Sequence, residues 1–283
     1  MIKLIIFGII SILFITPINA KDCSRGDLKK YANLYFNAQK AGEPSLLPIN
    51  NSTVFNQNKQ EISSTESILN TALPISFQRN FYDTETCTVF AEVIVDDDIN
   101  PYVIDIKIQV KDDMVTKIAA IVTTDGDWEF DAKGFLEAAK KEDWSEHNPN
   151  RIGRDGLIKA ADAYFDYFTY EKIDVPWGNP CAHLEGGKKY SGNDTNPSCK
   201  AVLANYALDN VEREYFVDEK SGVVNVFCYF GKTDSSAQYG AYHGNPDSHT
   251  FYIVNGKLRY IHSLTVIEQA RQEEIIRMMN AEE

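Results

Sequence analysis

Apolar and polar residues alternate along Pro246–Val266, and this pattern predicts a β-hairpin. Asn255-Gly256 lies at its centre, and this dipeptide favours a two-residue type I′ turn because both residues accept positive φ. In the register set by such a turn, His249 faces His262, with Cα atoms expected about 4.5 Å apart. Side chains alternate between the faces of a strand, so both histidines are predicted to lie on the more apolar face.

The same reading along the chain predicts helices, where apolar residues recur every three to four positions, and strands in the β-rich runs between them. The predicted helices are Asp27–Lys40, Ala132–Lys141 and Asp155–Phe168, and the clearest predicted strands are Leu73–Asp83, Thr88–Val95, Tyr102–Val110 and Val115–Thr124.

A weak internal repeat with a period near 130 residues relates the two halves of the chain. It predicts an α+β protein of two tandem cone-shaped domains, each a long helix packed on a curved antiparallel sheet. The expected boundaries are 21–145 and 150–266, with a C-terminal helix over 267–283. Alignment of the two hairpins places Ile106 at the position of His249 and Ala119 at that of His262. Either the second domain carries a site, or it fills its core differently.

The N-terminus has the pattern of a secretory signal peptide over residues 1–20: Lys3 precedes an apolar run that ends at Pro17-Ile-Asn-Ala20. We therefore expect a secreted, extracellular protein with no membrane span after cleavage. The formal net charge of −13 argues against a nucleic-acid partner, because binding to the phosphate backbone requires clustered basic residues.

Five cysteines in a secretory context predict disulfides. Their grouping favours Cys23–Cys87 and Cys181–Cys199. Cys228 is then left as a buried thiol, with a nucleophilic cysteine as the alternative. Three asparagines lie in N-x-S/T sequons and are expected on exposed, glycosylated loops: Asn50, Asn51 and Asn193.

Several stretches together resemble a family of secreted fungal proteins classed as a domain of unknown function. They are Val-Pro-Trp-Gly-Asn-Pro-Cys-Ala-His-Leu-Glu-Gly-Gly (175–187), Arg-Glu-Tyr-Phe-Val-Asp-Glu (213–219), Pro-Asp-Ser-His (246–249) and Asn-Gly-Lys-Leu-Arg-Tyr-Ile-His (255–262), with Gly126-Asp-Trp128 and Glu142-Asp-Trp144 in the first half. The resemblance implies a tandem similar to nuclear transport factor 2-like, or SnoaL-like, domains. That superfamily includes isomerases, dehydratases, cyclases and epoxide hydrolases as well as binding modules, so fold alone does not assign function.

His249, His262 and Glu185 are the candidate catalytic residues, because a carboxylate facing two histidines suits proton abstraction next to a carbonyl. Asp247 could orient a histidine or belong to a strand-entry turn. The alternatives are histidines packed in a core and a Glu185 that pairs with Arg213 or Arg259. The expected pocket lining comprises His183, Trp177, Tyr164, Tyr215, Phe251 and Tyr260.

Two functions remain open. The second domain is either a cofactor-independent enzyme of the isomerase, lyase or hydrolase type acting on a small metabolite or saccharide, or a non-catalytic protein that binds a ligand or a host molecule. No cofactor motif is present in the sequence, and spacing defines no third metal ligand, so neither a cofactor nor a metal is predicted.

Overall fold

The computed structural model describes residues 23–145, 152–170, 172–191, 199, 211–230 and 244–267. The predicted signal peptide, Asn193 and residues 268–283 of the predicted C-terminal helix lie outside the described residues. Within the described part of the chain, no helix combines the length and the apolar character needed to cross a membrane. Asn50 and Asn51 are exposed, as expected for these positions from the sequence.

The molecule is α+β, with two six-stranded sheets of the same strand order and three α-helices among the described residues. The helices are α1 (Arg25–Ala41), α2 (Ala132–Lys141) and α3 (Gly153–Thr169). The first sheet contains β1 (Val54–Gln57), β2 (Gln60–Ile62), β3 (Phe77–Asp83), β4 (Thr88–Val95), β5 (Tyr102–Lys111) and β6 (Met114–Thr123). The second contains β7 (Trp177–Glu185), β8 (Lys189–Ser191), β9 (Val211–Asp218), β10 (Val223–Phe230), β11 (Asn245–Val254) and β12 (Lys257–Thr265).

Both sheets are mixed rather than antiparallel. Their orders are β2-β1-β6-β5-β4-β3 and β8-β7-β12-β11-β10-β9, with β1 parallel to β6 and β7 parallel to β12. Each of these two strands is far in sequence from its parallel neighbour, and such a connection allows the parallel orientation that a short hairpin forbids. The prediction of purely antiparallel sheets is therefore wrong, whereas the repeat of one plan in both halves is confirmed.

Each sheet has one face covered by a long helix and the other facing the opposite sheet. Helix α1 begins at the N-cap Ser24, ends at Gly42 (φ 68°) and packs its buried stripe on the first sheet. Helix α3 does the same on the second sheet through Tyr164 and Phe165. A third apolar cluster contains residues of both sheets and of α2, so the sheets pack face to face.

Two buried aspartates join the sheets reciprocally at the edge formed by β3 and β9. Asp83 of the first sheet accepts a hydrogen bond from a β9 backbone N–H (3.1 Å) and pairs with Arg154 of α3 (2.9 Å). Asp218 of the second sheet accepts from a β3 backbone N–H (3.0 Å) and pairs with Arg25 of α1 (2.7 Å). The two contacts are therefore related as the equivalent contacts of a two-fold symmetric dimer are, although both halves belong to one chain.

The β11–β12 hairpin begins as the sequence predicts. Asn255 and Gly256 have φ of 51° and 74°, Val254 pairs with Lys257, and Ile253 pairs with Leu258. The type I′ character expected from the dipeptide is therefore confirmed at the turn.

A β-bulge then changes the register. Arg259 has no opposing residue, so Thr250 pairs with His262 and His249 pairs with Ser263. Side chains alternate with a period of two, so one inserted residue moves every later β12 side chain to the other face relative to β11. The prediction that His249 faces His262 is wrong for this reason. The first hairpin has the equivalent bulge, at Thr116.

Candidate functional site

His262 lies between the two sheets, where both of its ring nitrogens contact carboxylates. Nδ1 is 2.6 Å from Glu92 Oε2, and Nε2 is 2.7 Å from Glu142 Oε2. Burial opposes the charged form, but the two carboxylates raise the pKa of His262 to about 10. His262 is therefore an imidazolium fixed at the domain interface, where it cannot serve as a base in the predicted pocket.

Aromatic and cationic side chains enclose this ion cluster. Arg79 pairs with Glu92 (3.2 Å) and lies over the Trp144 ring at 4.3 Å, while Trp144 Nε1 donates to Glu142 Oε2 at 2.9 Å. Tyr260 stacks on Trp144 with ring centroids 5.6 Å apart. Tyr260 is therefore also at the interface and not in the pocket lining where the sequence reading placed it.

His249 lies on the opposite face of the second sheet, beneath α3. Its Nδ1 is 2.5 Å from Asp247 Oδ1, and the other carboxylate oxygen accepts a hydrogen bond from Thr265 Oγ1 at 2.6 Å. Cys228 Sγ is 3.8 Å from Asp247 Oδ1. All four side chains are buried. This geometry supports the interpretation in which the Asp247 carboxylate orients a histidine.

Aromatic rings enclose the His249 imidazole. Centroid distances are 5.0 Å to Phe165, 5.4 Å to Tyr164, 5.9 Å to Phe251 and 6.1 Å to Phe230. Burial, followed by nearby acidic groups, raises the pKa of Tyr164 well above its usual range, so its hydroxyl stays protonated. The four aromatic rings largely exclude water from the imidazole, and the low polarity around it strengthens its electrostatic interactions.

His183 and Glu185 extend the polar face on the neighbouring strand β7. His183 Nδ1 is 3.5 Å from Glu185 Oε1, and Ser263 Oγ is 3.5 Å from His183 Nε2. Glu185, Ser263 and His249 form one row across β7, β12 and β11. Strand spacing places Glu185 and His249 about 10 Å apart at Cα. The structure therefore brings two of the three candidate catalytic residues to one face.

The remaining predicted lining residues divide between this face and its edge. Trp177 contacts Tyr164, with ring centroids 6.1 Å apart. Tyr215 is only partly buried, and its hydroxyl donates to Asp162 of α3. Arg213 pairs with Asp162 and Asp166 at 2.7 and 2.8 Å, and Arg259 lies 4.1 Å over the Tyr260 ring. Glu185 itself lies 3.5 Å from His183 Nδ1 and accepts a hydrogen bond from Trp128 Nε1 at 3.4 Å.

The first domain is a matched comparison for this face because the two sheets share their order and their hairpin bulge. Five buried polar positions around His249 have apolar counterparts there. The pairs are Cys228/Val93, Asp247/Ile104, His249/Ile106, Ser263/Ala120 and Thr265/Val122. Sequence reasoning found only the histidine pair in this comparison. A residue-by-residue extension of the repeat alignment would have identified the other four pairs.

Both predicted disulfides are confirmed, and Cys228 is the free, buried cysteine among the described residues. Burial, and secondly Asp247, raises the pKa of the Cys228 thiol well above its usual range. The side chain is therefore a thiol rather than a reactive thiolate, which disfavours the nucleophile reading.

Residues 150–265 match the model of the DUF8021 family, a domain of unknown function. The matched segment begins just before α3 and ends at the last residue of β12, so it contains the whole face around His249. No curated protein matches the chain.

Proposed function

We propose that the DUF8021 domain binds a small metabolite or saccharide against the face beneath α3 and catalyses proton transfer on it without a cofactor. His249 is the proposed base, Asp247 its positioning residue, and Glu185 the second acid–base group. The reaction class is isomerisation, elimination or hydrolysis. The observation that carries the proposal is the buried Asp247–His249 pair, at 2.5 Å.

The geometry of this pair suits a base. A carboxylate on Nδ1 favours the tautomer with the proton on that nitrogen, which leaves the lone pair on Nε2 for the substrate. Thr265 holds the second oxygen of Asp247 and so fixes the orientation of the carboxylate. The surrounding aromatic rings provide a site of low polarity, in which an oriented base is more effective than in water.

The comparison between the two domains argues that these polar groups have a role other than packing. The first domain has Val, Ile or Ala at the same five positions, and these side chains are part of its buried apolar core. A buried polar side chain costs roughly 1–3 kcal/mol for each donor or acceptor that is left without a hydrogen-bond partner, a cost that an apolar side chain does not carry. Retaining five of them together in one domain is expected where a function requires them.

The wider setting belongs to the same proposal. A long helix over one face of each mixed sheet supports the nuclear transport factor 2-like cone that the sequence resemblance implies. The proposal of a fungal source rests on that sequence resemblance. The apolar leader and the two disulfides support secretion.

The test compares wild-type protein with His249→Ile, which copies Ile106 of the first domain. Both are incubated with extracellular metabolite and oligosaccharide mixtures, and depletion or conversion is followed by mass spectrometry. We expect His249→Ile to lower turnover by at least about 100-fold, the usual contribution of a general base, while the protein remains folded. Ile106→Val is the matched control. Wild-type turnover in His249→Ile would refute the proposal, and its failure to fold would make His249 structural.

Non-catalytic binding is the second candidate, and the burial of His249 favours it, since only 2% of the residue is exposed. Under this alternative the wild type retains a ligand unchanged. Recovery of an unmodified ligand, with His249→Ile abolishing its retention, would distinguish binding from catalysis.

A further inference from the structure

We propose that Cys228, Asp247 and His249 form a binding site for a zinc ion, with a fourth coordination position open. One sulfur, one oxygen and one nitrogen ligand atom from these buried side chains all lie within 4.8 Å of one another. This mixture of thiol, carboxylate and imidazole is a donor set that Zn²⁺ takes in proteins, and three protein ligands with one open position characterise its reactive sites.

The distances need only small movements to accept the ion. Tetrahedral zinc with ordinary bond lengths separates a sulfur and an oxygen ligand by about 3.6 Å and a nitrogen and an oxygen ligand by about 3.3 Å. Cys228 Sγ and Asp247 Oδ1 are 3.8 Å apart, which fits. His249 Nδ1 and Asp247 Oδ1 are 2.5 Å apart, so the imidazole has to move away by somewhat under 1 Å.

Two features outside the ligand set support the site. Thr265 Oγ1 holds the second oxygen of Asp247 at 2.6 Å, as residues behind a metal ligand commonly do. The aromatic rings around His249 form the apolar shell that surrounds many metal centres. In the first domain the three ligands are replaced together, by Val93, Ile104 and Ile106, so they differ between the repeats as a unit.

Binding balances as a ligand exchange. The ion forms Zn–S, Zn–O and Zn–N bonds, the Cys228 thiol releases its proton to solvent, and the imidazole proton moves from Nδ1 to Nε2. A zinc-loaded His249 then has no lone pair for a substrate. The ion and the proposed acid–base role are alternative uses of one residue, so zinc is expected to inhibit the proposed reaction. The existence of the metal site does not depend on that reaction.

The disulfides make a sharp spectroscopic test possible. Four of the five cysteines are paired, so Cys228 alone can give a thiolate-to-Co²⁺ charge-transfer band. Chelator-treated full-length protein is titrated with Co²⁺ and then Zn²⁺, and the bound metal is counted. We expect one ion per chain, a thiolate band that Zn²⁺ displaces, and release of one proton, measured by calorimetry in two buffers.

Cys228→Val, which copies Val93, is expected to lose the band and at least about 100-fold in Zn²⁺ affinity. His249→Ile should weaken binding similarly, whereas Ile106→Val should bind as the wild type does. Cys228→Ser retains the shape of the thiol and serves if the valine variant unfolds. Absence of Zn²⁺ binding in the wild type, binding without a thiolate band, or undiminished affinity in the folded Cys228 variant would each overturn the site. Turnover by the metal-free protein is measured separately, so the two proposals fail independently.

Discussion

Replacement of His262 by alanine tests whether this histidine is a charged link between the sheets. Ala119 occupies the equivalent position in the first domain, so the backbone of this hairpin accepts alanine there. In the native protein Glu92 and Glu142 are both within 2.7 Å of the imidazole. The substitution leaves Glu92 with Arg79 and Glu142 with Trp144, and removes one positive charge from a buried cluster.

The size of the effect follows from the loss of one member of a buried ion cluster, which costs about 3–5 kcal/mol of unfolding free energy. The effect should depend on pH in a defined direction. The folded-state pKa of about 10 lies above the usual value of 6.5, so the stabilisation is complete below about pH 6.5 and is lost as the pH rises towards 10. The stability difference between wild type and variant should therefore shrink by about 1.4 kcal/mol per pH unit in this window.

Urea unfolding of His262→Ala and wild type at pH 6, 7.5 and 9 measures this difference directly. Taking the difference at each pH removes the contribution of groups that titrate alike in both proteins. Tyr260→Phe, on the same face and against the same tryptophan, is the control and should show no such trend. A destabilisation below about 1 kcal/mol at pH 6, or one that is constant with pH, would show that His262 is not held as an imidazolium.

Two further predictions concern the same interface. Lys107 is buried, with Nζ 2.6 Å from the backbone oxygen of Glu214, and burial lowers its pKa to about 7 from 10.5. In urea unfolding, Lys107→Met should therefore be more stable than the wild type by roughly 2 kcal/mol at pH 7 and should lose this advantage towards pH 10. A variant that is less stable than the wild type at pH 7 would contradict this prediction. Asp83→Asn and Asp218→Asn should each cost up to about 3 kcal/mol, because each removes the buried carboxylate that pairs with an arginine. The cost at Asp83 should be the smaller, since Arg154 also lies 3.7 Å from Glu85. Both substitutions should speed hydrogen exchange in β3 and β9, and unchanged exchange in either strand would argue against the reciprocal arrangement.

Local patterns predicted the elements well. The predicted bounds of α2 and of β4 agree with the structure, and α1 and α3 extend the predicted helices by one or two residues at each end. These elements follow from apolar periodicity and turn residues, which are properties of neighbouring positions. The parallel placement of β1 and β7 was not predictable in this way, because it depends on pairing between segments distant in the chain.

The candidate site shows the same division. The sequence by itself determined the turn at Asn255-Gly256, the repeat and the disulfide pairs, since each depends on residue type and spacing. The sequence identified His249 as a candidate residue but wrongly paired it with His262. Only the tertiary structure decided which face each histidine occupies, because one bulged residue, Arg259, reverses the alternation of β12. The same reversal leaves His249 with Asp247 beneath α3 and gives His262 to carboxylates of the first domain.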